Sequence, residues 1–404
     1  MRRPAFQMGL LCTAMLFAGL IYAWSVLCGP LAVRLSGLSG TAVTVQDLSG
    51  AFGLSFFGSS AGIFLGGVLV RRAGFRASLA LAALSIFAGF AGTAVSPSVW
   101  LLTLSYGLFY GTGAGMAFGL CMARAISLYP ARRGFAGGLV SMAWGLSAAP
   151  MAIAAAWLVG RFGVRDGVLA LGTMSATAVL LVALLSRSAP AEGEGAATHP
   201  VSANETVWTQ MLRTADFYAM FAMLMFACMG SMLAIAHVAG IADAQLGVSP
   251  GEAALFVSLL AVASTAGRFA AGALSDRIGR VPALLGALLL LAAGFAAMAM
   301  SRHGDTALFA LGCAAVGLNY GAFCGVFPSF AADRFGVREL GRNYSFFNFA
   351  CCVSGFLGPA LIGLSGPREH FLASYAAAGL CALASAAIGL ALMRSRRFAC
   401  LCRK

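Results

Sequence analysis

The chain has 404 residues, of which 60% are hydrophobic and 10% are charged, and its mean hydropathy is +0.90. Soluble globular domains carry about 25% charged residues, so this composition excludes a soluble protein and indicates a chain whose solvent is lipid. The net charge of +13 does not require a nucleic-acid partner, because the basic residues cluster in short segments between apolar stretches, as in membrane proteins.

Twelve apolar stretches are long enough to cross about 30 Å of hydrocarbon. Because backbone polar groups inside lipid must be bonded within the segment, each stretch is predicted to be a helix, and the fold class is an all-α membrane protein. The predicted spans are residues 6–33, 48–70, 77–95, 100–128, 135–159 and 168–185 in the first half, and 217–241, 253–274, 282–300, 307–332, 344–364 and 371–393 in the second.

The distribution of arginine and lysine predicts that both termini are cytoplasmic. With that orientation, nineteen of these residues lie at cytoplasmic termini or loops and five lie outside, in agreement with the positive-inside rule. The apolar stretch after Met1 is longer than the 7 to 15 residues of a signal-peptide core and lacks a clear cleavage site, so it is predicted to be the first span.

A polar segment, residues 186–214, separates two groups of six spans and is predicted to be a cytoplasmic linker. It divides the chain into an N-terminal bundle (1–185) and a C-terminal bundle (215–397), followed by a tail (398–404). The halves repeat one pattern at an offset of 205 residues: a charged glycine turn at 67–74 and another at 272–279. Such a repeat predicts a transporter whose two bundles rock about a central site.

The turn after the eighth span, Gly-Ala-Leu-Ser-Asp-Arg-Ile-Gly-Arg at 272–280, resembles the loop motif of the major facilitator superfamily. Glycine permits a tight turn there, and the Asp and Arg can pair with neighbouring helix ends and stabilise one conformation. In the first copy, Arg71 stands where the family usually has Asp. The resemblance implies a conformational role for six residues: Arg72, Gly74, Asp276, Arg277, Gly279 and Arg280.

Four further stretches are similar to the oxalate/formate antiporter family, a group of small-carboxylate carriers within that superfamily. They sample both halves of the chain and comprise residues 19–26, residues 128–138, residues 267–280, and residues 327–336 followed by Asn343-Tyr344 and Gly358-Pro359. The resemblance implies twelve spans in two six-helix bundles and transport of small organic anions by alternating access.

Arg268 lies in the middle of the apolar eighth span. An arginine at membrane depth costs about 2.5 to 3.5 kcal/mol on insertion scales, so it normally faces a protein interior or cavity and meets an anion. The resemblance implies that this arginine binds the substrate carboxylate, which a planar guanidinium matches well. The alternative is a structural arginine that caps helix carbonyls or pairs with Asp276, about 12 Å away along the helix axis.

The departures from the family pattern narrow the predicted cargo. The oxalate-transporting branch carries a lysine on its eleventh helix where this chain has Cys351, and Asn348 stands where an aromatic wall is expected. Two cations suit a dianion and one suits a monoanion, so we predict a monocarboxylate such as formate, lactate or pyruvate. Tyr22 and Tyr320 are the predicted aromatic walls of the site, because a phenol can bond a carboxylate while its ring excludes water.

All thirteen acidic residues lie at predicted helix ends or in loops, which favours anion exchange over proton symport. His237 is a candidate proton site, although a histidine near a helix end is more often simply hydrogen-bonded. The alternatives are a proton-coupled monocarboxylate symporter, an oxalate carrier, an efflux pump for another cargo and a non-transporting sensor.

The sequence carries no nucleophile constellation, cofactor loop or zinc-type spacing, so neither an enzyme nor a cofactor or metal is predicted. The expected partners are a small carboxylate and membrane lipid, with no nucleic acid, and a monomer is expected. The resemblance and topology imply a multi-pass protein of the bacterial cytoplasmic membrane.

Overall fold

The computed structural model describes residues 4–20, 24–186, 205–364 and 371–394. Within these ranges the chain is helical and contains no β-strand. The α-helices are α1 (Pro4–Ala18), α2 (Trp24–Ser39), α3 (Ser49–Val95), α4 (Val99–Leu102), α5 (Gly111–Leu128), α6 (Arg133–Leu146), α7 (Ala148–Leu185), α8 (Trp208–Met211), α9 (Ala215–Leu246), α10 (Pro250–Ile278), α11 (Arg280–Met300), α12 (Thr306–Phe335), α13 (Leu340–Ala360) and α14 (Leu372–Arg394).

Each of the twelve predicted spans falls on helical structure. Eight continuous helical stretches in the described chain are long and apolar enough to cross a membrane, and two of these, Gln46–Val95 and Arg133–Leu185, each hold two predicted spans. The first predicted span is formed by α1 and α2. The fourth is formed by α4 and α5, which a π-helical segment, Thr103–Tyr110, joins. The all-α prediction is confirmed.

The glycine turns predicted from the internal repeat are present in both halves. Gly74 lies inside α3 with φ +77°, and Gly279 separates α10 from α11 with φ +94°. Residues with a Cβ rarely adopt these φ values, whereas glycine adopts them readily. The offset of 205 residues therefore matches two positions with the same backbone requirement.

The first predicted span is interrupted near its middle, between the end of α1 and the start of α2. Residues 21–23, which include Tyr22, lie outside the described residues. At the end of α1, three hydroxyl groups from distant residues donate to backbone carbonyl groups: Ser175 Oγ to Phe17 O (2.6 Å), Tyr110 Oη to Ala18 O (3.3 Å) and Ser147 Oγ to Gly19 O (2.7 Å).

Two neighbouring phenols beside this interruption are expected to respond in opposite ways to loss of the hydroxyl. Tyr106 is fully buried, its ring centroid lies 4.3 Å from that of Trp24, and its hydroxyl has no hydrogen-bond partner among the described residues. An unsatisfied buried hydroxyl costs about 1 to 3 kcal/mol, whereas a satisfied one contributes about 0.5 to 1.5 kcal/mol. Tyr106→Phe should therefore raise the thermal unfolding temperature in detergent, and Tyr110→Phe should lower it. Equal shifts for the two variants would contradict this account.

Packing separates the chain into two compact units. The first comprises Met1–Leu128, Ala143–Val207 and Phe335–Phe349; the second comprises Tyr129–Met142, Trp208–Arg334 and Ala350–Lys404. The beginning of α13 thus packs within the first unit, and the beginning of α6 packs within the second. The division of the chain into two repeated halves at residues 186–214 stays a prediction. Residues 187–204 of that segment and the predicted tail at 398–404 lie outside the described residues.

Candidate functional site

Arg268 lies in the second unit at a junction of three closely packed helices. It is on α10 and only 4% exposed. Two glycines let the neighbouring helices approach its backbone: a Cβ at Gly138 on α6 would lie 2.6 Å from Arg268 O, and a Cβ at Gly325 on α12 would also overlap that oxygen. Because only glycine permits this approach, the packing holds the guanidinium between α6, α10 and α12.

The guanidinium contacts neutral groups on two neighbouring helices. Arg268 Nη1 donates to Ser141 O at 3.3 Å and to Ser141 Oγ at 3.4 Å, and Arg268 Cζ lies 5.7 Å from the centroid of the Tyr320 ring. The two hydrogen bonds are longer than the usual 2.7 to 3.2 Å, and the ring distance is within the range of cation–π attraction. Arg268 and Tyr320, two of the residues predicted to bind substrate, thus lie near each other, whereas Ser141 was not identified from the sequence; the binding roles stay predictions.

Three cysteine thiols surround the same region of the second unit. Cys228 Sγ on α9 lies 4.0 Å from Cys351 Sγ on α13, and the thiols of Cys351 and Cys324 lie within electrostatic range of the Arg268 guanidinium. Cys228 is buried, and the other two are partly exposed. The position at which the resemblance implies a lysine in oxalate carriers therefore lies within electrostatic range of Arg268, and here it is Cys351.

The remaining predicted binding residues lie elsewhere or outside the description. Asn348 belongs to the first unit, where its Nδ2 donates to Ser60 Oγ at 2.9 Å. His237 Nε2 lies 3.2 Å from the carbonyl oxygen of Pro359, which can only accept, so this nitrogen carries a proton. Tyr22 falls within residues 21–23 and is not described. Roles in binding or proton transfer for these three residues stay predictions.

The turn after the eighth span organises a charged cluster in the second unit, the Asp276 cluster, formed by Asp276, Arg280, Asp333 and Arg133. Asp276 accepts from the backbone N–H groups of Gly134 (2.8 Å) and Phe135 (2.7 Å) at the start of α6, and from Arg280 Nη1 (2.6 Å). Arg280 Nε and Arg133 Nη1 both donate to Asp333, at 2.8 and 2.9 Å. A carboxylate at a helix N-terminus is favourable, so the cluster joins α6 to α10 and α12.

The corresponding turn in the first half forms an ion pair of opposite polarity. Arg71, which replaces the family's Asp, pairs with Glu339 just before α13, and Glu339 also accepts from Arg342 at 3.2 Å. Gly67 on α3 lies so close to α13 that a Cβ there would be 2.8 Å from Arg342 N. Arg72 and Arg277 are both exposed. In the second half, the acid of the ion pair is Asp276 and lies on the turn. In the first half, the turn carries Arg71, and the acid, Glu339, lies just before α13.

Substitutions of Glu339, of Arg71 and of the adjacent Arg72 test the Arg71–Glu339 pair. Glu339→Gln removes the acceptor of two arginines and is expected to lower the thermal unfolding temperature most. Arg71→Gln should have a smaller effect, of about 1 kcal/mol or less, because the pair is partly solvated and Arg342 still binds Glu339. Arg72→Gln is the matched control and should behave as wild type. A larger effect at Arg72 than at Arg71 would show that the assigned pair is wrong.

Long apolar helices, a repeated turn and a buried guanidinium at a helix junction together define a multi-pass membrane transporter. The sequence profile of the Major Facilitator Superfamily matches residues 8–359, and the chain belongs to that superfamily. Its members are transporters and not enzymes. The superfamily and the multi-pass topology imply a small-molecule substrate and embedding in a membrane.

Individual relatives agree with this assignment at low identity. The chain is 24% identical to the uncharacterized transporter YhjX of Escherichia coli (81% of this chain, 79% of the relative) and 27% identical to the oxalate:formate antiporter of Oxalobacter formigenes (86% and 81%). It is also 27% identical to monocarboxylate transporter 13 of Bos taurus (88% and 80%). A variant of the Escherichia coli fucose:proton symporter FucP superposes with a TM-score of 0.72 at 14% identity, covering 98% of this chain and 100% of that one. This last likeness supports the fold alone.

Proposed function

We propose that the chain is a secondary active transporter of small organic anions, and that its cargo is a monocarboxylate such as formate, lactate or pyruvate. The observation that carries the proposal is Arg268: a permanently charged group, 4% exposed, within the eighth predicted span. Relatives named for oxalate, formate and monocarboxylates support a carboxylate as the anion.

The neighbours of the guanidinium support a cargo with a single negative charge. Four residues around Arg268 are uncharged: Ser141, Tyr320, Cys324 and Cys351. Among these five residues, Arg268 alone carries a formal charge. A dianion such as oxalate would place its second carboxylate against thiols and an aromatic ring, where an uncompensated charge is costly. A monocarboxylate brings no second charge.

Binding would proceed by exchange of weak contacts for stronger ones. The guanidinium offers two parallel N–H donors to a carboxylate, and charge-assisted bonds of this kind are about 2.7 to 2.9 Å long and about twice as strong as neutral ones. The bonds to Ser141, at 3.3 and 3.4 Å, are weaker and can be replaced. The Tyr320 ring would then cover the bound anion from water.

Transport would follow from alternating access between the sequence halves 1–185 and 215–397. The Asp276 cluster joins α6, which belongs to the first half, to α10 and α12 of the second, and the Arg71–Glu339 pair joins α3 to the start of α13. We infer that both sets of contacts must break when the transporter changes conformation. We infer roles in this step for Asp276, Gly279 and Arg280, and for Gly74 in its turn. Arg72 and Arg277 are exposed and take no part in the contacts named here, so we assign them no role in this step.

Exchange is the favoured coupling. The predicted proton site, His237, lies within hydrogen-bond distance of a helix carbonyl, as a structural histidine does. We further infer that the protein is a monomer in the bacterial cytoplasmic membrane with both termini in the cytoplasm, as the arginine distribution indicates.

A counterflow assay tests the proposal. Proteoliposomes loaded with unlabelled formate, lactate, pyruvate or oxalate would be supplied with each labelled acid outside. One monocarboxylate is expected to enter, faster when the same acid is inside, and external oxalate should compete weakly. Oxalate uptake that displaces the monocarboxylates would contradict the proposed cargo, and an absolute requirement for an inward proton gradient would contradict exchange.

A further inference from the structure

The close pair of thiols in the second unit, Cys228 and Cys351, is not explained by carboxylate binding. Their sulfurs are 4.0 Å apart, on α9 and α13, and the two residues are separated by 123 positions in sequence. Metal–thiolate bonds are about 2.3 Å long, so two sulfurs joined by one thiophilic atom are at most about 4.6 Å apart. The observed separation is below that limit, so rotation of the two cysteine side chains can bring both sulfurs onto one atom.

The position of the pair decides which thiol a reagent meets first and what a bound group would affect. Cys351 is partly exposed, so a small reagent can reach one member of the pair before it reaches buried Cys228. The Cys351 thiol lies within electrostatic range of the Arg268 guanidinium, so a group attached to Cys351 would occupy space in the same region of the second unit.

We propose that Cys228 and Cys351 form a dithiol site for trivalent arsenicals and related thiophilic species, and that its occupation blocks anion binding at Arg268. With phenylarsine oxide, each thiol forms one As–S bond and releases its proton, and the two protons leave with the arsenical oxygen as water. No change of oxidation state is involved. The arsenical site stands on the thiol geometry, whereas the block of anion uptake rests on the proposed function.

The first arm of the test measures binding alone. The purified chain would carry Cys400→Ser and Cys402→Ser, because these closely spaced tail cysteines are a competing pair, and intact-mass spectrometry would follow treatment with phenylarsine oxide. One phenylarsine per chain is expected, lost in Cys228→Ser and in Cys351→Ser and retained in the neighbouring control Cys352→Ser. Failure to bind, or equal binding after either substitution, would overturn the site.

A second readout keeps the proposal testable where a variant does not fold. In the chain that retains Cys228 and Cys351, a maleimide applied after the arsenical should find two thiols protected, and peptide mapping should place the protection at these two cysteines. Protection of another pair overturns the proposal.

The functional arm uses the same arsenical in proteoliposomes. Uptake of the transported monocarboxylate should fall at least about tenfold, return with 2,3-dimercaptopropanol and not return with the monothiol 2-mercaptoethanol. Excess substrate should slow the modification. Modification at the pair that leaves uptake unchanged would overturn the blocking claim. If no carboxylate is transported before treatment, the proposed function fails while the mass measurement still decides the dithiol site.

Discussion

Arg268→Gln is expected to lower kcat/KM for carboxylate uptake at least about 30-fold. Glutamine keeps part of the side-chain length and can still bond Ser141, but it removes the charge and the paired N–H donors that match a carboxylate. Truncating one member of a buried charge pair costs about 2 to 5 kcal/mol, and about 1.4 kcal/mol corresponds to tenfold. Initial uptake rates in proteoliposomes, normalised to reconstituted protein, measure the effect.

Two further variants separate the proposed role of Arg268 from a general need for positive charge. Arg268→Lys keeps the charge and loses the planar fork, and should recover only part of the activity. Arg124→Gln is the matched control, since Arg124 also lies within a predicted span, with its Cζ 5.9 Å from the Phe75 ring, and should transport as wild type. An equal loss at Arg124 would indicate a structural role for both arginines.

Asp276→Asn is expected to produce the second largest loss of transport. The carboxylate accepts from two backbone N–H groups at the start of α6 and from Arg280, and its side chain is 11% exposed. Asparagine offers a single acceptor oxygen and no charge, so at least one donor is left unbonded and the favourable interaction with the helix N-terminus is lost. We expect about a tenfold lower uptake rate with an unchanged apparent affinity for substrate.

The adjacent residue supplies the control for Asp276. Arg277 lies on the same turn and is exposed, so Arg277→Gln should leave both uptake and thermal stability close to wild type. A change in apparent substrate affinity in Asp276→Asn, with an unchanged maximal rate, would mean that this residue acts on the binding site and not on the conformational step.

Features set by local physics were predictable from the sequence. The twelve predicted spans follow from the length of the apolar stretches and the need to bond the backbone in lipid. The turns at Gly74 and Gly279 follow from a repeated motif. The resemblance added a role for Arg268, whose burial the composition of its span already implied.

Features that depend on contacts between distant segments were not predictable in the same way. Ser141 is 127 residues from Arg268, Cys228 is 123 residues from Cys351, and Glu339 is 268 residues from Arg71. Nothing near Glu339 in sequence signals its partner. The first motif carries Arg71 where the family usually has Asp, and the structure places Glu339, just before α13, beside it. The hydrogen bonds at the end of α1 come likewise from hydroxyl groups of residues distant in sequence, Tyr110, Ser147 and Ser175.

Equilibrium binding tests the central claim, a carboxylate site at Arg268, most directly because it does not require the protein to change conformation. Labelled formate, lactate and pyruvate would be titrated onto purified wild type, Arg268→Gln and Arg124→Gln in detergent. Saturable binding of one monocarboxylate to wild type and to Arg124→Gln, with none to Arg268→Gln at the same concentrations, is the predicted result. Undiminished binding to Arg268→Gln would contradict the assignment of this arginine.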